Sequence, residues 1–351
     1  MKRARPQLES RWPRRWAVLL VCATFPLIWV GGLVTTYKAG MAVPDWPNTY
    51  GYNLFLYPLQ TWLSGPFDLF VEHGHRLLAV LIGLVTIGLV VSVCRSEKRD
   101  WLKILSAGAL VAVVAQGVLG GARVRLDERT LALVHACTGP AFFALVVAIA
   151  CTLAASWKNP RGGLASGEIP RARVSRIAQW SLLACGLVYL QLILGALVRH
   201  APVTLSPGAF GVFVQFHLVM ALAVTIHMLV LVGGIWWQRQ SLPATIRRPA
   251  YLVLACLLVQ LLLGGASWVT RFGWPSFLAD KELFAAQLIR AEAFWPSLIL
   301  TAHVATGSLL LVLSVVLAVR SLRLRHQLAV PAAVPAFSFM LADASWGGGL
   351  G

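Results

Sequence analysis

The chain has 351 residues, of which 58% are hydrophobic and only 12% charged, and its mean hydropathy is +0.74. This is too little polar surface for a soluble globule, so the composition indicates an integral membrane protein. It also excludes a disordered chain, a coiled coil, collagen and a disulfide-rich secreted framework. In a soluble protein the net charge of +17 would suggest nucleic-acid binding, so its distribution along the chain decides its meaning.

Eight windows nearly free of Asp, Glu, Lys and Arg are long enough to cross a membrane, which takes about 20 apolar residues. Backbone polar groups in lipid must be satisfied within the spanning segment, so windows of this length predict helices rather than barrel strands. We therefore expect an all-α, polytopic membrane protein. Its eight transmembrane helices are predicted at residues 16–36, 74–93, 104–122, 131–156, 177–198, 210–237, 251–270 and 295–319.

The basic residues sort to one side of the predicted membrane. With the N-terminus inside, 21 of the 30 Lys and Arg and 5 of the 13 Asp and Glu lie inside, which leaves net charges of +16 inside and +1 outside. The positive-inside rule thus predicts cytoplasmic N- and C-termini and no nucleic-acid partner. The basic arm is expected to contact anionic membrane lipid, and its short length favours a bacterial plasma (inner) membrane over a mitochondrial import signal.

The chain contains an internal repeat of four helices. The shared motifs are Gln116-Gly-Val-Leu-Gly-Gly-Ala-Arg123 and Gln260-Leu-Leu-Leu-Gly-Gly-Ala-Ser267 in the third and seventh helices, and His135-Ala-Cys-Thr-Gly139 and His303-Val-Ala-Thr-Gly307 in the fourth and eighth. The matches predict two tandem four-helix bundles at 16–156 and 177–320. A basic cytoplasmic arm is expected at 1–15, a cytoplasmic linker at 157–176 and a disordered cytoplasmic tail at 321–351.

Four histidines lie near the outer ends of the second, fourth, sixth and eighth predicted helices, namely His75, His135, His217 and His303. A single histidine in a span is more often a hydrogen-bonded core residue than a ligand. Four at equivalent positions of a repeat need a common cause, and two per bundle suit the axial positions of haem iron. A small residue lies one turn deeper than each, which leaves clearance for a flat macrocycle, although helix packing also favours small residues.

The repeat is broken at the second helix, where the glutamate and arginine of Glu72-His-Gly-His75-Arg76 have no counterparts in residues 214–218. Glu72 shares a helical face with His75 and is a candidate catalytic carboxylate for proton transfer or for stabilising a cationic intermediate. Arg76 is a candidate haem propionate ligand, or else it forms an ion pair with Glu72 that fixes the helix entry. His73 points elsewhere and is expected to contact groups around the site or the loop. Chemistry confined to one bundle would therefore occur in the first, with the second as a redox relay.

In combination, these features resemble the haem A synthase family. The similar segments are Val30-Gly-Gly-Leu-Val-Thr-Thr36, Gly40-Met-Ala-Val-Pro-Asp-Trp-Pro47, Glu72-x-x-His75-Arg76, the glutamine–glycine motifs and the four histidines, within residues 16–320. The resemblance implies an oxidoreductase that converts haem O to haem A for cytochrome oxidase, oxidising a ring methyl through a hydroxymethyl to a formyl group. It implies that His217 and His303 hold a resident haem b, while Glu72, His75 and His135 serve the substrate site. Haem O synthase and cytochrome oxidase assembly are then the expected functional partners.

Two other classes of protein remain open. A non-catalytic di-haem b electron carrier would need the same four histidines but not Glu72. A transporter with polar residues at the membrane midplane fits least, because the spans are nearly free of charge and the histidines lie at one edge. The sequence leaves the oligomeric state open, including a homo-oligomer.

Overall fold

The computed structural model describes residues 11–158, 169–202, 204–273 and 294–329. In these ranges it is helical, with an isolated bridge between Thr49 and Tyr52 and no strand, so the predicted all-α class is confirmed. The helices are α1 (Trp12–Thr36), α2 (Leu59–Ser64), α3 (Phe67–Ser96), α4 (Asp100–Leu126), α5 (Arg129–Leu153), α6 (Ala155–Lys158), α7 (Arg171–Arg199), α8 (Pro207–Trp237), α9 (Ala244–Phe272) and α10 (Phe294–Ala329).

Eight helices, all except the short α2 and α6, are long and apolar enough to cross a membrane. Seven of the predicted windows lie wholly within one of them. The window 131–156 differs, because α5 ends at Leu153 and an extended Ala154 separates it from α6. Helix α3 begins at Phe67 rather than at the predicted residue 74, so Glu72 and His75 both lie within regular helix.

The spanning helices pack in two rings of four. Helix α1 packs on α3, α3 on α4, α4 on α5 and α5 on α1, while α7, α8, α9 and α10 repeat this order. Helix α10 also contacts α1 and α5, so it joins the two halves. It contributes Leu310 and Leu311 to the apolar core of the second half and Val312 to that of the first.

Helix α10 continues to Ala329 and therefore includes residues 321–329 of the segment predicted to be disordered. Leu324 is fully buried in the core of the second half, and Leu328 packs against that core. An apolar helical face thus continues beyond the predicted membrane window and holds these turns in place. The remaining residues of the predicted tail, 330–351, lie outside the described residues, as do residues 1–10 of the arm and 159–168 of the linker.

The four histidines of the repeat come together at one end of the molecule. Helices α3, α5, α8 and α10 each carry one of them near the helix start. Because successive spanning helices alternate in direction, these four starts lie at the same end of the bundle, which we call the histidine end. The long connection between α1 and α3, residues 37–66, lies at this end of the first half.

Candidate active site

The four imidazoles share an unusual feature at one ring nitrogen. Nδ1 of His75, His135, His217 and His303 is buried and has no hydrogen-bond partner among the described residues. A buried polar atom left without a partner costs about 1–3 kcal/mol. Four such atoms at equivalent points of a repeat therefore indicate histidines that are arranged to bind something other than protein.

His217 and His303 face each other in the second half. Their ring centroids are 6.5 Å apart, and the ring planes are inclined by 77°. Two imidazoles on opposite sides of one metal ion, each with a nitrogen about 2 Å from it, have ring centres about 6 Å apart. The pair therefore has the separation that two axial ligands of haem iron require, so the residues present fit a haem.

Each histidine of this pair also contacts a glutamine. Nε2 of Gln191 lies 3.4 Å from Nε2 of His217, and Nε2 of Gln260 lies 3.4 Å from Nε2 of His303. Histidines that bind metals usually pair their second ring nitrogen with a protein or solvent group. The described residues after the linker, 169–202, 204–273 and 294–329, contain no Asp or Glu. The histidine pair of the second half is therefore without a carboxylate neighbour in these ranges.

Glu72 supplies a buried carboxylate in the first half, with 2% of its surface exposed. Oε1 accepts a hydrogen bond from Nε of Arg76 at 3.1 Å. Oε2 is buried without a hydrogen-bond partner and lies 3.6 Å from Nη2 of Arg123. Because Glu72 precedes His75 by three residues, the carboxylate is on the same side of α3 as the imidazole. An oxygen held there without a donor is suited to accept and release a proton.

Arg76 holds the connection between α1 and α3 in place. Nη1 donates to the carbonyl oxygens of Asp45 at 2.6 Å and Asn48 at 2.8 Å, and Nη2 donates to the carbonyl oxygen of Val43 at 2.8 Å. With the bond to Glu72, these contacts use four of the five guanidinium N–H groups. The ion pair considered as an alternative is present, and a single N–H group is left for a propionate.

The loop contacts of Arg76 yield a prediction about stability. We expect Arg76→Gln to lower the free energy of unfolding by about 1–3 kcal/mol, because the buried Glu72 loses its hydrogen-bonded ionic partner and keeps only the longer ion pair with Arg123. The amides of residues 43–50 should also exchange hydrogen for deuterium faster than in the wild type. Mass spectrometry of the protein in nanodiscs measures this, with the exposed Arg125→Gln as the control. Unchanged exchange at residues 43–50 would contradict the proposal that Arg76 holds this loop in place.

His73 faces the loop and not the other histidines of the site. Its Nδ1 lies 3.0 Å from Oγ1 of Thr49, and its ring centroid is 5.1 Å from that of Tyr57 and 5.2 Å from that of Trp62. The predicted loop contact is therefore present. It fixes the loop from the side of α3 opposite to His75.

Asp45 closes a turn within the same loop. Its two carboxylate oxygens accept hydrogen bonds of 2.8 Å from the backbone N–H groups of Tyr50 and Gly51. Burial raises the pKa of Asp45, but these hydrogen bonds and the charge of Arg76 outweigh it, so the pKa lies below its ordinary value. Asp45 is thus ionised at neutral pH and stabilises the turn.

The first half repeats the glutamine contacts of the second only in part. The side-chain amide of Gln116 donates a short hydrogen bond to the hydroxyl of Thr138, whereas the backbone of Gln116 is hydrogen-bonded to His135. In α1 the equivalent position, four residues before Gly31, is occupied by Leu27. The two histidine pairs therefore differ in their immediate neighbours, although the backbone repeat is preserved.

Arg123 is a site residue that the sequence analysis did not single out. Its guanidinium lies so close to Gly40 that a Cβ atom there would come within 2.7 Å of Nη2. Arg123 also lines a crevice of about 170 Å³ at the histidine end, together with Lys38, Arg129 and His200. A signal was present in the repeat, where the motif that ends in Arg123 has Ser267 in the second half.

His200 adds a neutral imidazole to the wall of this crevice. Burial, and then the charges of Arg199 and Arg123, lower its pKa to about 4. The ring is therefore uncharged at neutral pH, so the charges of the crevice wall come from Lys38, Arg123 and Arg129 and from the carboxylates of Asp127 and Glu128.

Comparisons with known proteins identify similar sequences. The family model of COX15-CtaA, described as cytochrome oxidase assembly protein, matches residues 14–210, which include Glu72, His75 and His135. A heme A synthase from Symbiobacterium thermophilum is 30% identical over 218 residues, which cover 55% of this chain and 67% of that protein. No solved structure matches the chain.

Proposed function

The chain belongs to the COX15-CtaA family of cytochrome oxidase assembly proteins, and from this premise we propose that it is a haem A synthase. Its substrate would be haem O, whose ring methyl it would oxidise through a hydroxymethyl to the formyl group of haem A. At that carbon the substrate gains an oxygen atom and loses two hydrogen atoms, which is a four-electron oxidation, so both the oxygen atom and the oxidant would come from co-substrates outside the chain. The similarity to a protein named heme A synthase supports this choice of reaction.

The second half would hold a resident haem b between His217 and His303. When bound there, haem b supplies one-electron redox chemistry. Gln191 and Gln260 contact the two imidazoles and would restrict their rotation. The described residues 169–202, 204–273 and 294–329 contain no carboxylate, so the role proposed for Glu72 has no counterpart among them.

The first half would bind the substrate, with His75 and His135 as ligands of the haem O iron. Arg76 fixes Oε1 of Glu72, which leaves Oε2 to take up a proton that leaves the reacting carbon. The charge of Arg123, 3.6 Å from Oε2, stabilises the carboxylate once that proton has moved on. These groups are held ready before the substrate binds, so little reorganisation is needed.

Arg123 would also bind a propionate of the substrate. Among the described residues it makes the ion pair with Glu72 but no side-chain hydrogen bond, whereas Arg76 has committed four donors to protein atoms. An arginine with donors to spare is the better partner for a carboxylate. We therefore assign the propionate contact chiefly to Arg123, with Arg76 able to contribute one N–H group.

One observation favours an enzyme over a di-haem b electron carrier. It is the buried Oε2 of Glu72, which has no hydrogen-bond donor and which the described residues of the second half do not reproduce. A passive carrier needs two similar haem sites and gains nothing from a buried carboxylate, which is costly to desolvate. The difference between the halves is explained if one binds a substrate and the other a permanent cofactor.

We further propose a place for the protein in the cell. The charge distribution favours a bacterial plasma membrane with both termini cytoplasmic, and the histidine end would then lie toward the outer side. Haem O would come from haem O synthase, and the product would serve cytochrome oxidase assembly.

The proposal is tested by extracting pigments from cells that produce this protein together with a haem O synthase. We expect these cells to contain haem A or its hydroxymethyl precursor, because the protein would supply all the groups that we propose to bind and oxidise haem O. Cells with the haem O synthase alone are the control, and chromatography with mass spectrometry identifies the pigments. If haem O accumulates unchanged while the purified protein shows a reducible b-type spectrum, the electron-carrier function is correct and the enzyme proposal is wrong.

A further inference from the structure

Each of the four imidazoles rests on a glycine of the preceding spanning helix. The contacts pair Gly31 with His75, Gly120 with His135, Gly195 with His217 and Gly264 with His303. In every pair the nearest ring atom is Cε1, the carbon between the two ring nitrogens. The same contact therefore occurs four times, between α1 and α3, α4 and α5, α7 and α8, and α9 and α10.

The space at these glycines is filled by the imidazoles. A Cβ atom would come within 2.9 Å of Cε1 of His75 at position 31, 3.3 Å of His135 at position 120, and 3.1 Å of the rings at positions 195 and 264. Carbon atoms pack at about 3.5–4.0 Å. Any side chain at these positions would therefore push the ring away from the helix that carries the glycine and turn the ring nitrogens.

Other glycines in the same helices carry no such constraint. A Cβ atom at Gly186 in α7, or at Gly265 in α9, would meet nothing within 4 Å. Glycine is unfavourable inside a helix relative to alanine, so a glycine there needs a reason in packing or function. At Gly195 and Gly264 the contact with an imidazole supplies that reason.

We infer that Gly31, Gly120, Gly195 and Gly264 are positioning residues that set the orientation of the four haem-facing imidazoles. Because each glycine has no side chain, the Cε1 edge of its histidine can lie against the glycine. This contact determines where the two ring nitrogens beside Cε1 point. In the second half, Gln191 and Gln260, each one turn before its glycine, hold the ring from a second direction. This inference rests on the proposed function, because the orientation matters only if the histidines bind haem.

The test compares Gly195→Ala and Gly264→Ala with Gly186→Ala and Gly265→Ala in the full-length protein. All four changes favour the helix, so a defect restricted to the first two does not come from weaker helices. We expect about tenfold weaker retention of haem b in the first two variants, with a shifted midpoint potential, since disturbing groups around metal ligands lowers affinity about 10–100-fold. The two controls should match the wild type.

A second measurement needs no haem. In haem-free protein with ¹³Cε1-labelled histidine, Gly264→Ala should shift the Cε1–H resonance of His303, and Gly265→Ala should leave it in place. Wild-type haem retention and wild-type resonances in Gly195→Ala and Gly264→Ala would overturn the inference. If the wild-type protein binds no haem b, the proposed function is contradicted. The Cε1–H resonances of the haem-free protein would still show whether the glycines determine the orientation of the imidazole rings.

Discussion

Replacing Glu72 by glutamine is expected to lower the turnover of haem O by at least about 100-fold and to leave the resident haem b in place. Positioned general acids and bases contribute about 10²–10⁴ to a rate, and glutamine keeps the shape of the side chain but cannot hold and release the proton at Oε2. Arg76 can still bond to the amide oxygen, so the loop and the helix should remain intact. Single-turnover conversion of haem O by the purified variant measures the loss, and the reduced spectrum reports the haem b.

The control for this prediction is Glu97→Gln, at the opposite end of the same helix. Glu97 pairs with Arg99 at 2.7 Å and lies far from the histidine end, so its replacement should leave turnover unchanged. Arg123→Gln is a companion variant that should mainly raise KM, because it removes the proposed propionate contact. Wild-type turnover in Glu72→Gln would refute the role given to Glu72, even if haem A synthesis by the protein is confirmed.

Replacing His303 or His217 by alanine is expected to remove the resident haem b, and with it the turnover of haem O. Each ring would supply one of the two axial bonds to the haem iron, and the two ring centroids are 6.5 Å apart. The absorbance of haem b per protein in purified variants gives the measurement.

The matched control is His227→Gln, in the same helix as His217. His227 lies within hydrogen-bonding distance, 2.9 Å, of the carbonyl oxygen of Trp180 and stacks on its ring at 5.0 Å. Glutamine can keep the hydrogen bond, so haem b content should be unchanged. A normal b-type spectrum in His303→Ala or His217→Ala would contradict the division into a cofactor half and a substrate half.

The internal repeat could be recognised in the sequence because regular helices keep equivalent residues at equivalent positions in the two halves. Glutamine–glycine and histidine motifs recur at similar spacing, so the bundle order and the grouping of the four histidines at one end followed from the chain alone. Contacts between segments that are distant along the sequence could not be predicted in this way. Arg76 attracted attention because it adjoins His75, yet its donors mostly bind loop carbonyls that only the folded connection brings to it.

Arg123, in contrast, attracted no attention in the sequence, although the structure places it at the site. It is 51 positions from Glu72 along the sequence, and nothing local distinguishes it from the neighbouring Arg125. The packing of α3 against α4 brings its guanidinium to 3.6 Å from Oε2. Comparing the two copies of the repeat position by position would have indicated it, because Ser267 occupies the equivalent place.

The sequence by itself determined the class, the eight spans, the repeat and the side preferred by the charges, since these depend on composition and on regular spacing. It also marked Glu72, because the repeat is broken at this position and the residue precedes His75 by three positions. Only the tertiary structure decided which donors remain free, that four glycines support the four imidazoles, and that the two halves differ in their glutamine contacts. Those features depend on distances of a few ångströms between helices, which no pattern along a single chain records.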